Sequence, residues 1–519
     1  MLDLVIANAS IVDGSGAEPF AGWIGVRGDR IVAVERTGNV PGAARLIDAG
    51  GATLAPGFVD VHNHSDLSPF VLPAMPSTIR QGVTSVVVGN CGSSPWPLAG
   101  WDGSVSLAYA EPDDHPRPAW TTWSDFLDAI DDAQPAVNVA ALVGHGTVRQ
   151  EVMGQAAGEP SPDALEQMTR LVRDAVARGA VGVSTGLIYV PGIHSGTEEI
   201  VAVAAAAAAE GGLYASHIRG EGRDLFPAVN EAIRVGERAS IDVHISHLKC
   251  ESSRVWGRAS GLLETIRAAG ATGDQYPYAA WNSSLASLLP PWAPLAHVAS
   301  IAHGDGQRLR QAVEDGEPGF QSSVDGVGWD KIVISQTADA RYQGLSLTGV
   351  ADALACEPFD ALVMLLTEDP DTACIGHAMH RDDVTTILTD TGVFVASDAS
   401  AIDPTSPAGS FAVHPRDYGT FPRALEACRD ADLLPLEAVV RKMTSLPAER
   451  FGLTDRGRSV GGAFADLVLF VPNDVRDVAT YTAPHAFPEG ISTVIVNGSV
   501  AWEWRRDDIA RAGRALRRT

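Results

Sequence analysis

Apolar residues fall into two regimes along the chain. Near the N-terminus Leu4-Val5-Ile6 and Ser10-Ile11-Val12 cluster apolar positions. Trp23 to Val26 and Arg30 to Val34 then flank Arg27-Gly28-Asp29, the composition of a hairpin turn. β character returns at the far end, in Leu467-Val468-Leu469-Phe470 and in Val494-Ile495-Val496 before Asn497-Gly498. The middle instead alternates short β-branched runs with helical stretches such as 167–178 and 382–388, which is the pattern of βαβ units in a parallel sheet. Candidate strands are 57–62, 84–88, 137–143, 180–184, 212–217, 242–247, 273–278, 374–378 and 393–397. These are nine candidates for the eight places of a (β/α)8 barrel, so one is extra or lies in an insertion.

Size agrees with that division. The chain has 519 residues, 45% of them hydrophobic, enough for a barrel and a smaller domain. The expected organisation is α/β: a TIM-like barrel over 57–450 and a small β-sandwich domain built from both chain ends, 1–56 and 451–519. The stretch from about 285 to about 345 breaks the rhythm with prolines, glycines and charges, and is expected to be an insertion covering the barrel mouth. The longest apolar run, Val201 to Ala209, is mostly alanine and too short to span a bilayer. Met1 to Val12 has neither a basic start nor a long apolar segment, so no signal peptide is expected and the setting reads as cytoplasmic. Five widely spaced cysteines imply no disulfide framework. A net charge of −26 disfavours nucleic acid and anionic membranes as partners and serves solubility. Oligomeric state is not legible.

Several candidate strands end in a metal-ligand type. His62-Asn63-His64 follows Phe58 to Val61, Cys91 follows Val86-Val87-Val88-Gly89-Asn90, and His217, His247 and Asp398 each close a β run. Strand C-termini are where the site of such a barrel converges, and alternation puts His62 and His64 on one face. One His-x-His pair is a weak signal, but four further ligand types, each at a strand end, are not coincidence. His244 lies an odd number of residues before His247 and points to the other face, as a structural residue.

The chain resembles the N-acyl-D-amino-acid deacylase (D-aminoacylase) family of the amidohydrolase superfamily. The matching runs are Ala55-Pro56-Gly57-Phe58-Val59-Asp60-Val61-His62-Asn63-His64, Gly89-Asn90-Cys91-Gly92, Gly144-His145-Gly146, His217-Ile218-Arg219-Gly220-Glu221 and Ser246-His247-Leu248-Lys249. Asp274-Gln275-Tyr276-Pro277-Tyr278, Ser397-Asp398 and the most specific, His414-Pro415-Arg416-Asp417-Tyr418-Gly419, follow. The resemblance implies a tightly bound zinc on Cys91, His217 and His247, and a second, weaker metal position on His62, His64 and Asp398. Superfamily relatives often bridge two metals with a carboxylated lysine, but this chain has only Lys249, Lys331 and Lys442, none of them early enough. A Cys91 thiolate can take that place. Asp398 is then both ligand and catalytic acid/base, and Lys249, Tyr278 and Arg416, with Ser283 or Ser284, bind the substrate α-carboxylate.

The implied activity is zinc-dependent hydrolysis of small N-acyl-D-amino acids to a carboxylate and a free D-amino acid. Cyclic-amide hydrolysis, as in dihydroorotase or hydantoinase relatives, is the alternative among enzymes; a silent binding protein on the same fold is the alternative outside them. The chain departs from the family pattern at Ala399-Ser400-Ala401-Ile402-Asp403-Pro404, continuing to Phe411, and at Gly376-His377-Ala378-Met379-His380. Both segments are expected to border the side-chain or acyl pocket, with His377 and His380 read as surface residues.

Overall fold

The computed structural model describes residues 1–36, 38–97 and 120–518. Eight parallel strands form the barrel: Phe58–Asp60, Val83–Val88, Asn138–Ala141 continued by Val143–Gly144, Gly182–Gly186, Leu213–His217, Val243–Ile245, Thr272–Gln275 and Val393–Val395. The ring closes beyond the strand tips, where Asp398 N donates to His62 O and His64 N to Ala399 O, both at 2.8 Å.

Alternation along each strand sorts the core into two layers. Val87, Ala140, Leu142, Val181, Leu213, Ala215 and Phe394 fill the barrel interior. Their neighbours Val86, Val88, Val139, Ala141, Val183 and Tyr214 face outward against helices. Helix Pro162–Ala177 shows how that outer layer is encoded. Ser161 accepts from Ala164 N at its start, Pro162 occupies the first turn, and Met168, Val172, Ala175 and Val176 make the buried stripe.

The ninth candidate strand is outside the barrel. Residues Ala373–Gly376 pair antiparallel with Trp281–Ser284 and Ile332–Gln336 in a separate three-stranded sheet. With helices Val298–Asp315, Leu347–Leu354 and Pro358–Glu368 this sheet has its own core, including Leu285, Leu309, Ile334, Leu362 and Cys374. The excursion therefore runs over 281–376, wider than the 285–345 read from composition. Its flanking strands are too regular to show up as a break in rhythm.

The chain ends share one eight-stranded sheet. Strand Leu2–Ile11 is continuous, with a register shift between Ile6 and Ala9 and a positive φ of 56° at Asn8. That bulge is why its sequence reads as two apolar fragments. Strands Phe20–Arg27 and Arg30–Glu35 form the expected hairpin around Gly28, at φ +57°. Among the described residues no helix is long and apolar enough to cross a membrane.

Candidate metal centre and active site

The strand ends do not simply run on to the ligands. Cys91, His247 and Asp398 all adopt positive φ, 52°, 36° and 52°, a conformation uncommon for residues with a side chain. Each turns the chain sharply at the barrel rim and aims its side chain at the axis. Two donor groups result, His62 with His64, Cys91 and Asp398, and Cys91 with His217 and His247. Within each, the ligand atoms lie inside 4.8 Å of one another. Cys91 belongs to both, its Sγ 3.3 Å from His62 Nε2 and 3.5 Å from His247 Nε2. His217 Nδ1 sits 2.9 Å from His247 Nε2, and Asp398 Oδ1 lies 3.1 Å from His64 Nε2 and 3.3 Å from His62 Nε2.

This set fits zinc. A thiolate and imidazoles are its preferred donors. Burial alone raises the Cys91 thiol, but His62, His217 and His247 outweigh it and pull its pKa well below the ordinary value. Asp398 is likewise held well below the carboxylate range against burial, first by Arg416 and then by His62 and His247.

Around the ligands stands a layer that orients them. Asp274 Oδ1 accepts the His247 backbone N–H at 3.0 Å, while its Oδ2 lies 2.8 Å from His244 Nε2 and 3.5 Å from His62 Nδ1. His244 is structural, but it points into the barrel, stacked on Phe394 at 5.3 Å, while Val243 and Ile245 face the outer layer; the parity count does not hold because the strand ends at Ile245, before His247. Glu221 Oε1 and Lys249 Nζ both approach His247 Nδ1, at 3.0 and 2.8 Å, which leaves Nε2 as the nitrogen turned toward Cys91 and His217. His414 accepts from Arg416 N at 3.0 Å and approaches Ala280 O at 3.0 Å with its other nitrogen, fixing the loop that delivers Arg416.

A cavity of about 500 Å³ opens over the ligands, and Lys249, Arg416, Ser283 and Ser284 all line it. Lys249 Nζ sits 2.7 Å from Glu221 and 2.8 Å from His247 Nδ1. Arg416 donates to Asp398 Oδ2 at 2.7 Å, leaving the rest of its five-donor fork for a ligand. Tyr278 is the correction. Its hydroxyl donates at 2.9 Å to Asp477 and it lies outside the cavity wall. Two residues earlier, Tyr276 lines the cavity, with the Arg416 guanidinium 4.7 Å from its ring centre. The strand ends at Gln275, so alternation no longer tells which tyrosine turns inward.

Sequence reasoning gave no role to Glu221, Asp274 or Tyr276, although all three stand within the matching runs. Tyr189, whose ring packs edge-on to His217 at 5.0 Å, carries no sequence signal. Of the two divergent segments, 399–411 supplies Ala399, Ser400 and Phe411 to the cavity. The 376–380 segment does not. His377 packs on Tyr481, and exposed His380 caps helix Arg381–Thr389.

A closed parallel barrel with imidazoles, a thiolate and a carboxylate at its strand tips defines a metal-dependent hydrolase. Residues 45–310 and 386–501 match the amidohydrolase family. N-acyl-D-glutamate deacylase from Alcaligenes xylosoxydans xylosoxydans is 36% identical, the alignment covering 100% of this chain and 97% of that one. The solved N-acyl-D-glutamate deacylase of Bordetella bronchiseptica, complexed with zinc and a phosphonate mimic of the tetrahedral intermediate, superposes with a TM-score of 0.83 at 32% identity over 99% of both chains. A D-aminoacylase structure concerned with one-metal activation and second-metal attenuation of a binuclear centre superposes at 0.81, with 33% identity over 100% of both chains. The chain belongs to the N-acyl-D-amino-acid deacylases of the amidohydrolase family.

Proposed function

We propose that the chain hydrolyses the amide bond of N-acyl-D-amino acids with zinc, releasing a carboxylate and the free D-amino acid. The observation that carries this is the meeting, in one cavity, of the Cys91-centred ligands with the cations Arg416 and Lys249. Cys91, His217 and His247 would hold the tight zinc; His62, His64 and Asp398 would hold a second, weaker ion. Zinc there supplies Lewis acidity, polarising the amide carbonyl and making water a competent nucleophile near neutral pH.

The chain's own residues do the rest. Arg416 takes the substrate α-carboxylate through its free N–H groups, and Lys249 adds a point charge. Tyr276 contributes a neutral donor, because burial raises its hydroxyl well above the ordinary value. Asp398, ionised and beside the ligands, accepts the proton of the attacking water and returns it to the leaving nitrogen. Ser283 and Ser284 border the bound substrate. The cyclic-amide alternative lacks support, since no lysine lies before Lys249 to bridge two metals. Five unpaired cysteines suit a reducing cytoplasm.

Zinc content and turnover test this reading together. Purified protein is expected to carry near-stoichiometric zinc and to hydrolyse N-acetyl-D-amino acids in preference to their L enantiomers. Cys91→Ala, His217→Ala and His247→Ala should each lose most of the metal by elemental analysis. Full zinc in all three variants, or no D-amide hydrolysis by zinc-loaded protein, would overturn it.

A further inference from the structure

Carboxyl groups outnumber cationic side chains in the cavity wall. Among the described residues lining it are four carboxyl groups, Glu221, Glu251, Asp398 and Asp417, against two full cations, Lys249 and Arg416. Both cations have carboxylate partners, Lys249 on Glu221 and Arg416 on Asp398, each at 2.7 Å. Asp417 accepts the Ser400 backbone N–H at 3.0 Å. Glu251 is left over.

Glu251 is only 6% exposed, and its Oε1 meets no hydrogen-bond partner. Trp281 and Ser323, which also line the cavity, stand beside its carboxyl group as neutral donors. The backbone holds Glu251 in place through Glu251 N to Glu221 O at 2.9 Å and a bridge to Met379. Burial and the nearby Glu221 charge push its carboxyl up to about 7. The one cation that acts on it, Lys249, is paired at 2.7 Å with Glu221, and a buried acid facing a substrate cavity with only a shared counter-charge is a costly arrangement unless a ligand supplies a further donor.

We propose that Glu251 reads the substrate side chain, and that the preferred substrates are N-acyl-D-amino acids whose side chain ends in an amine or a guanidinium. This rests on the deacylase reading above, which commits Arg416 and Lys249 to the α-carboxylate. A second carboxylate on the substrate, as in D-glutamate or D-aspartate, would find no uncommitted cation among the described lining residues. It would also face Glu251 and Asp417 as like charges. A terminal cation instead completes a charge-assisted hydrogen bond to Oε1, while its aliphatic stem can lie along the Trp281 indole.

The test uses zinc-loaded full-length protein and two substrates of matched stem, N-acetyl-D-lysine and N-acetyl-D-norleucine, with N-acetyl-D-glutamate as the anionic comparison. The lysine derivative should exceed the norleucine derivative in kcat/KM by about 10-fold or more, the discrimination of one charged hydrogen bond. The glutamate derivative should fall below norleucine. Glu251→Gln should bring the lysine-to-norleucine ratio close to one. Norleucine or glutamate equalling or beating lysine in the wild type would overturn the inference while leaving the deacylase reading intact, and needs no variant. An unchanged ratio in a folded, zinc-loaded Glu251→Gln protein would also overturn it. If none of the three is hydrolysed, nor any other N-acetyl-D-amino acid, the deacylase reading itself falls and takes the inference with it.

Discussion

Asp398 shows what a single residue is asked to do. It stands at a strand tip in a positive-φ turn, 8% exposed, with one carboxylate oxygen toward His62 and His64 and the other held by Arg416. Its type and its place after Val393-Phe394-Val395-Ala396-Ser397 were legible in the sequence; the turn that aims it and the arginine that keeps it ionised were not. Both come from contacts across the barrel, with no local pattern to announce them. Asp398→Asn preserves the shape and can still place an oxygen near a metal, but it can neither accept nor return a proton. Zinc bound by Cys91, His217 and His247 should remain near stoichiometric in this variant, while kcat/KM falls by roughly 10²–10⁴. Near-normal turnover with full zinc would assign the proton transfer to another group.

At the scale of elements, strand periodicity was a good guide as far as each strand lasts. It located all eight barrel strands. It failed beyond the tips. Strand Val243–Ile245 ends before His247, so Lys249 reaches the site through a turn. Helix Leu436–Met443 carries a feature no periodicity reveals. Lys442, fully buried, donates its ammonium to the Leu388 and Asp390 carbonyls at the end of helix Arg381–Thr389. Burial lowers its pKa from an ordinary 10.5 to about 8. The folded chain therefore releases this proton near pH 8 while the unfolded chain keeps it to about 10.5. Between those values the unfolded state binds more protons, and stability rises with pH. The buried thiols of Cys250, Cys374 and Cys428, raised by burial above their ordinary value of 9.0, act in the opposite sense in this range, so the Lys442 component is read as the difference between variant and parent. Melting temperature measured from pH 7.5 to 9.5 should carry a rising component that Lys442→Met removes. A Lys442→Met protein with an unchanged pH slope would show that the buried ammonium stays charged throughout.

For the whole molecule, the question is how the barrel is held at the end away from its chemistry. Residues 510–518 leave the β sheet and cross the barrel floor. Val139 N donates to Arg514 O at 2.9 Å, Leu516 N to Val139 O at 2.7 Å, and Arg518 N to Gly179 O at 3.1 Å, so the tail pairs with the start of the third barrel strand. Leu516, 9% exposed, joins Val59, Val181 and Phe394 in the interior cluster. The sequence hid this because Ile509 to Arg518 is short, arginine-rich and without period, and reads as a solvated end. Arg517 does meet Asp128 and Asp131, but these are surface pairs worth little. The weight falls on Leu516 and on the buried Val139 amide. Exposing the leucine costs about 1.5–3 kcal/mol, and leaving a buried amide without a partner costs about 1–3 kcal/mol. Deleting 510–519 should therefore lower unfolding stability by roughly 2.5–6 kcal/mol, and Leu516→Ala by roughly half of that. Every ligand sits at the opposite rim, so kcat/KM and zinc content at low temperature should match the full chain in both variants. Chemical denaturation and single-temperature kinetics on the same preparations decide it. An unchanged denaturation midpoint would mean that the tail only rests on the floor. A loss of zinc from the folded, truncated protein would mean that the floor and the metal rim are coupled through the barrel interior.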